Sequence, residues 1–106
     1  MKLLLAAVII FTTATVGYGD EPSWQESCSA IGSLAETTMR NRQLGVPMEA
    51  MIRPNADSFI EKFDQEIVIM AYERPRYSTE KMRTRSVEDF RDTIYLECVK
   101  KLRPKT

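Results

Sequence analysis

Apolar residues recur at steps of three and four along most of this chain, and each such run is bounded by a recognisable helix signal. The first run follows Pro22 and the capping box Ser23-Trp-Gln-Glu26. Trp24, Cys28, Ile31, Ala35, Thr38 or Met39, and Arg42 share one face, which Leu34 widens. Gly45 follows Leu44 where a helix would need a left-handed C-terminal residue. Gly32 lies inside this helix at some cost and leaves room for a neighbour to approach. Pro47 suits a first helical position, and Met48, Met51 and Ile52 form a short stripe that Pro54 ends. A third helix is expected from Asn55 or Asp57 to Glu73, with Phe59 or Ile60, Phe63, Ile67, Met70 and Ala71 inward. Val68 and Ile69 broaden that stripe, which makes this helix the most buried one expected. Ile67-Val-Ile69 could be read as strand, but the three-four spacing continues on both sides of it. Pro75 stops the helix, and Arg74-Pro-Arg-Tyr77 makes a loop. Ser78 or Thr79 caps a last helix running to about Leu102, with Met82, Val87, Phe90, Ile94, Cys98 and Leu102 as its seam. Glu88, Asp89, Arg91 and Asp92 take its wet face.

The opening residues follow a different pattern. Leu3 to Phe11 is unbroken and apolar behind Lys2, and small residues then lead to Gly17 and Gly19. This has the form of a secretory signal, residues 1–19, cleaved before Asp20. Thr12, Thr13 and Thr15 interrupt the run well short of the roughly 20 residues a membrane span needs. Cys28 follows Gln25-Glu26-Ser27, which is no lipoprotein site, so no stable membrane insertion is expected after cleavage. The weakly charged start favours the periplasm over full secretion. Removing nineteen of 106 residues leaves one helical domain, 20–106.

An exported chain with two cysteines, Cys28 and Cys98, points to one disulfide. It would join the second turn of the first helix to the last turns of the final one. The expected fold is therefore all-α: a small antiparallel bundle of three long helices plus one short one, closed by that bond.

Charge narrows the function classes. Fifteen cations balance fifteen acids, so nothing attracts nucleic acid. Asp57 to Glu73 holds five acids and one lysine, whereas Lys100, Lys101, Arg103 and Lys105 close the chain without an acid. A cationic end suits the helix dipole. There is no histidine, which removes the commonest general base and metal ligand. No metal site, cofactor or catalytic set is expected. Ser78-Thr-Glu-Lys81 is explained by capping. Glu61, Asp64 and Glu66, and then Glu88, Asp89 and Asp92, fall on wet faces and not in a cleft that would raise a carboxyl pKa. Met39, Met70 and Met82 read as core fillers; Met48 and Met51 read as a cover over one bundle end, or a partner-binding groove.

One cluster stands out as a candidate partner-binding site. Tyr72, Arg74, Arg76 and Tyr77 gather in the proline-fixed loop, with Arg83 and Arg85 on the next helix. Tyrosine and arginine are over-represented at interface hot spots. The competing reading packs the tyrosines back and pairs the arginines with Glu73 and Glu80.

The arrangement Cys28-x-x-Ile-Gly32, Met39-Arg-x-Arg-Gln-x-Gly45, Ala71-Tyr-x-x-Pro75 and Phe90…Tyr95-x-x-Cys98 resembles small exported two-cysteine helical proteins of Gram-negative bacteria and their phages. Those shared residues are framework residues and imply no activity. More distantly, the half from Pro75 to Cys98 is similar to periplasmic immunity proteins that block peptidoglycan amidases. The residues and the resemblance together lead to an expectation of a non-enzymatic exported protein that binds another exported or envelope protein, as an inhibitor or immunity protein for a cell-wall hydrolase. A small carboxylate-using hydrolase and an envelope stress or structural protein are the alternatives.

Overall fold

The computed structural model describes residues 22–53 and 58–105. The expected signal segment 1–19 and the expected caps Asn55 and Asp57 lie outside the described residues, as do the side chains of Phe59 and Ile60. The described chain is all-helical: α1 (Trp24–Leu44), α2 (Met48–Met51), α3 (Phe59–Tyr72) and α4 (Glu80–Leu102).

Local chemistry fixes the ends of the helices. Ser23 accepts from the Glu26 N–H, Ser58 from the Glu61 N–H and Thr79 from the Met82 N–H, each satisfying one orphan donor of a first turn. The cap of α3 is thus Ser58, in a Ser-x-x-Glu box that opens the helix at Phe59. Gly45 closes α1 at φ +88°, and its N–H and that of Val46 return to the carbonyls of Arg42 and Asn41. That left-handed conformation demands glycine, and a Cβ there would sit 2.9 Å from the Arg76 guanidinium, which would have to move aside.

The Cys28–Cys98 disulfide forms as expected and makes α1 and α4 antiparallel. Farther along the same seam, Gly32 faces Arg91 and Tyr95, and Glu36 accepts from Arg91 at 3.0 Å. At the end where α1 finishes, Arg42 donates to the carbonyl of Arg74, just past α3. At the other end, Lys101 of α4 lies over the Phe63 ring near the start of α3. α3 is therefore antiparallel to α4 and parallel to α1, and the reversal is made by the segment between α1 and α3.

The core is one cluster in which α1 is central. Cys28, Ile31, Ala35 and Met39 of α1 meet Phe63, Ile67 and Ala71 of α3 and Val87, Phe90, Ile94 and Cys98 of α4. α1 packs closely on both long partners, so it, and not α3, is the helix the others enclose. Two residues expected to be inward are not. Ile69 is 45% exposed because it lies on the far side of α3, and Met82 is 38% exposed because the first turn of α4 overhangs the core.

Gly32 is buried, yet a Cβ there would meet only side-chain atoms at 3.6 Å or more, which is ordinary contact. Replacing it with alanine removes a helix-interior glycine without a clash. Gly32→Ala is expected to raise the unfolding free energy by about 0.5–1 kcal/mol, read as a higher urea midpoint at unchanged slope.

Candidate functional site

Six residues were singled out by sequence, and the structure brings their segment against the C-terminal end of α1. What organises it is Gln43, which the sequence marks only as one of the framework residues of Met39-Arg-x-Arg-Gln-x-Gly45. Its side chain is buried, one turn beyond Met39 on the inner face of α1. Gln43 Nε2 donates to the Pro75 carbonyl at 3.0 Å, and Oε1 accepts from the Tyr77 N–H at 2.9 Å. Both ends of one amide thus mimic a strand partner for the loop, and its second amide proton reaches the Met39 sulfur at 3.4 Å. No buried side-chain polar atom is left without a partner among the described residues.

The arginines serve carbonyls, not carboxylates. Arg42 Nε and Nη2 hold the Arg74 carbonyl at 3.1 and 3.0 Å. Arg76 reaches the Gln43 carbonyl through Nε and Nη2, at 3.4 Å each. Arg83 Nε donates to the Tyr77 carbonyl at 2.8 Å. The last carbonyls of α1 and those of a turning loop lack intrahelical donors, and a guanidinium fork supplies them. No ion pair joins Glu73 or Glu80 to these arginines; the ion pairs among the described residues lie elsewhere, on Glu36, Glu97 and Glu66.

The rings are bound in as well. The Tyr72 hydroxyl donates to the Val46 carbonyl, and the Arg42 guanidinium stands 5.1 Å from the ring centre. Burial pushes the Tyr72 phenol up, with the Arg42 cation opposing, so the hydroxyl stays a neutral donor at ordinary pH. Arg74 lies 4.9 Å over the fully buried Phe90 ring and roofs the core there.

Folding therefore uses Tyr72, Arg74, Arg76 and Arg83, and it uses the backbone of Tyr77. Arg85 is different: it is exposed and makes no hydrogen bond or ion pair among the described residues. It lines a depression of about 260 Å³ with Arg74, Pro75, Tyr77, Met82, Ser86 and Asp89. Its lining thus mixes Pro75, Tyr77 and the exposed Met82 with the charged Arg74, Arg85 and Asp89.

Carboxylates gather at a second place. Glu36, Glu80 and Glu88 line a separate groove of about 360 Å³ between α1 and α4, near Leu44. Glu36 already holds Arg40 at 2.6 Å and Arg91 at 3.0 Å. Among the described residues no group of three histidine, cysteine, aspartate or glutamate side chains is placed to hold a metal ion. No helix among them is long and apolar enough to cross a membrane.

A scan against family models, curated proteins and solved structures returns no match to this chain.

Proposed function

We propose that this chain is a non-enzymatic exported protein that binds another exported or envelope protein through the Pro75–Tyr77–Met82–Arg85 hollow. One observation carries the reading. The loop is fastened by a buried amide, two arginine forks and a single bond from Arg83, so its backbone is held in place before any partner arrives. A backbone set in advance lowers the ordering cost of binding, and an unpaired arginine beside tyrosine and methionine is the composition of an interface anchor. The disulfide supports residence in an oxidising compartment, such as the periplasm after removal of residues 1–19. The sharper form, an inhibitor or immunity protein for a cell-wall hydrolase, draws on the same hollow as the blocking surface.

Capture of partners by the tagged protein from a periplasmic extract, without reductant, supplies the ligand for the test. Arg85→Glu is expected to weaken a stoichiometric partner's affinity about thirtyfold, a loss near 2 kcal/mol for a central anchor. Leu96→Ala, on an exposed part of α4 outside the hollow, should leave it unchanged. Equal affinities for Arg85→Glu and the parent protein would remove the hollow from the interface. Co-expression that fails to protect cells from such hydrolases would remove the inhibitor form alone.

A further inference from the structure

The sequence reads Met48 and Met51, in the segment after α1, as a cover over one bundle end or as a partner-binding groove. In the structure that segment runs back along the flank of α3. Gln65, Val68 and Tyr72 share one face of α3, at steps of three and four. Gln65 Nε2 donates to the Arg53 carbonyl at 2.6 Å, and the Tyr72 hydroxyl donates to the Val46 carbonyl. The chain from Val46 to Arg53 is thereby pinned one turn below and one turn above Val68. Val68 is almost wholly buried, yet it stands apart from the core cluster that unites α1, α3 and α4. It has its own cover.

That cover has little holding it. No residue of α2 is buried, and four residues make too short a helix to persist alone. Besides the two pins, its links to α1 among the described residues are the Val46 N–H to the Asn41 carbonyl at 3.0 Å, which belongs to the helix cap, and a long contact from Asn41 Nδ2 to the Met51 sulfur, 3.6 Å. The 73–79 loop offers a contrast, since a buried glutamine side chain anchors it within the core.

We propose that Val46–Arg53 is a detachable strap: it lifts off α3 as a unit, baring Val68, while α1, α3 and α4 stay locked together. The lock is topological as well as energetic. Cys28 precedes the strap and Cys98 follows it, so even a severed strap leaves the two parts of the chain joined. The inference is independent of which surface binds a partner. A strap of this kind gates an apolar strip and provides the one place where the folded body tolerates a break.

Limited digestion of the mature protein with thermolysin, which cuts before large apolar residues such as Met51 and Ile52, tests it. The expected first product is cut inside 46–53. It runs as one species without reductant and as two fragments with it, and it keeps its helical circular dichroism and a cooperative melt. Tyr72→Phe retains the ring but loses one pin, and should speed that first cut about fivefold. Urea should accelerate the cut far less than it promotes global unfolding, because strap release exposes little surface. A first cut elsewhere in the helical body, a cut product without helical signal, or a rate that follows global unfolding would each overturn the strap.

Discussion

Replacing Cys28 and Cys98 together by alanine is expected to lower the unfolding free energy by about 4 kcal/mol. The bond closes a loop of 70 residues, and the chain-entropy model assigns about that much to a loop of this length. A core in a domain this small supplies only about 3–5 kcal/mol net, so the change is of the order of everything else combined. A fall of about 20 °C in melting temperature should follow for a domain of this size. The serine pair should fall further. Both cysteines are wholly buried among Ile31, Phe90 and Ile94, and a hydroxyl in such surroundings costs about 1–3 kcal/mol unless it finds a partner. Thermal circular dichroism of the parent, alanine-pair and serine-pair proteins gives the order directly. An alanine pair melting within a few degrees of the parent would show that the helices, not the tether, carry the stability.

The second large effect belongs to Gln43. Gln43→Ala removes the acceptor of the Tyr77 N–H and the donor to the Pro75 carbonyl. The Pro75 carbonyl and the Tyr77 N–H lie at a part-buried site where water can replace some of what is lost, so a loss of about 2 kcal/mol is expected. Gln43→Leu discriminates the cause, because it nearly restores the volume without restoring either bond. If hydrogen bonding dominates, the leucine variant stays within about 1 kcal/mol of the alanine variant; if the loss is a cavity, leucine recovers most of it. Urea denaturation of the three proteins separates the outcomes. The loop should also loosen in both variants, which amide hydrogen exchange at Tyr77 would register as lost protection.

The helices were legible because their signals are local. Ser23-x-x-Glu26, Gly45 and Thr79 act within one turn, and the structure places all three at the ends they imply. Ser58-x-x-Glu61 is equally local, but Asn55 and Asp57 are also good cap residues, and the expected start falls on them. The disulfide followed from having two cysteines. The extent of burial was harder, because it depends on which helix becomes central, and nothing within α3 announces that Ile69 will face away from α1. Gln43 was missed for a more specific reason. The stripe Cys28–Ile31–Ala35–Met39, extended by four, arrives at position 43, but a glutamine breaks the apolar pattern and Arg42 beside it lies on the same edge. A polar residue in register with a core stripe is the signal that would have found it, since burial then requires partners for both ends of its amide. The sequence reads the arginines of the candidate cluster as partner-binding, with pairing to Glu73 and Glu80 as the competing reading. Their carbonyl partners exist only once α1 ends against the 73–79 loop, and that meeting spans more than thirty residues of chain.

The placement of α1 between α3 and α4 also sets an order of assembly. A chain delivered from its N-terminal side presents α1 first, with Ile31, Ala35, Met39 and Gln43 in water and nothing yet to cover them. Its disulfide partner arrives 70 residues later, its Arg91 contact 55 residues after Glu36, and its Tyr77 contact 34 residues after Gln43. Helical turns form within about a microsecond, but such distant closures raise the entropic barrier and slow consolidation. Until its last helix is available the molecule is thus an open and pliable string of helices. It becomes a solid body only when α4 joins α1.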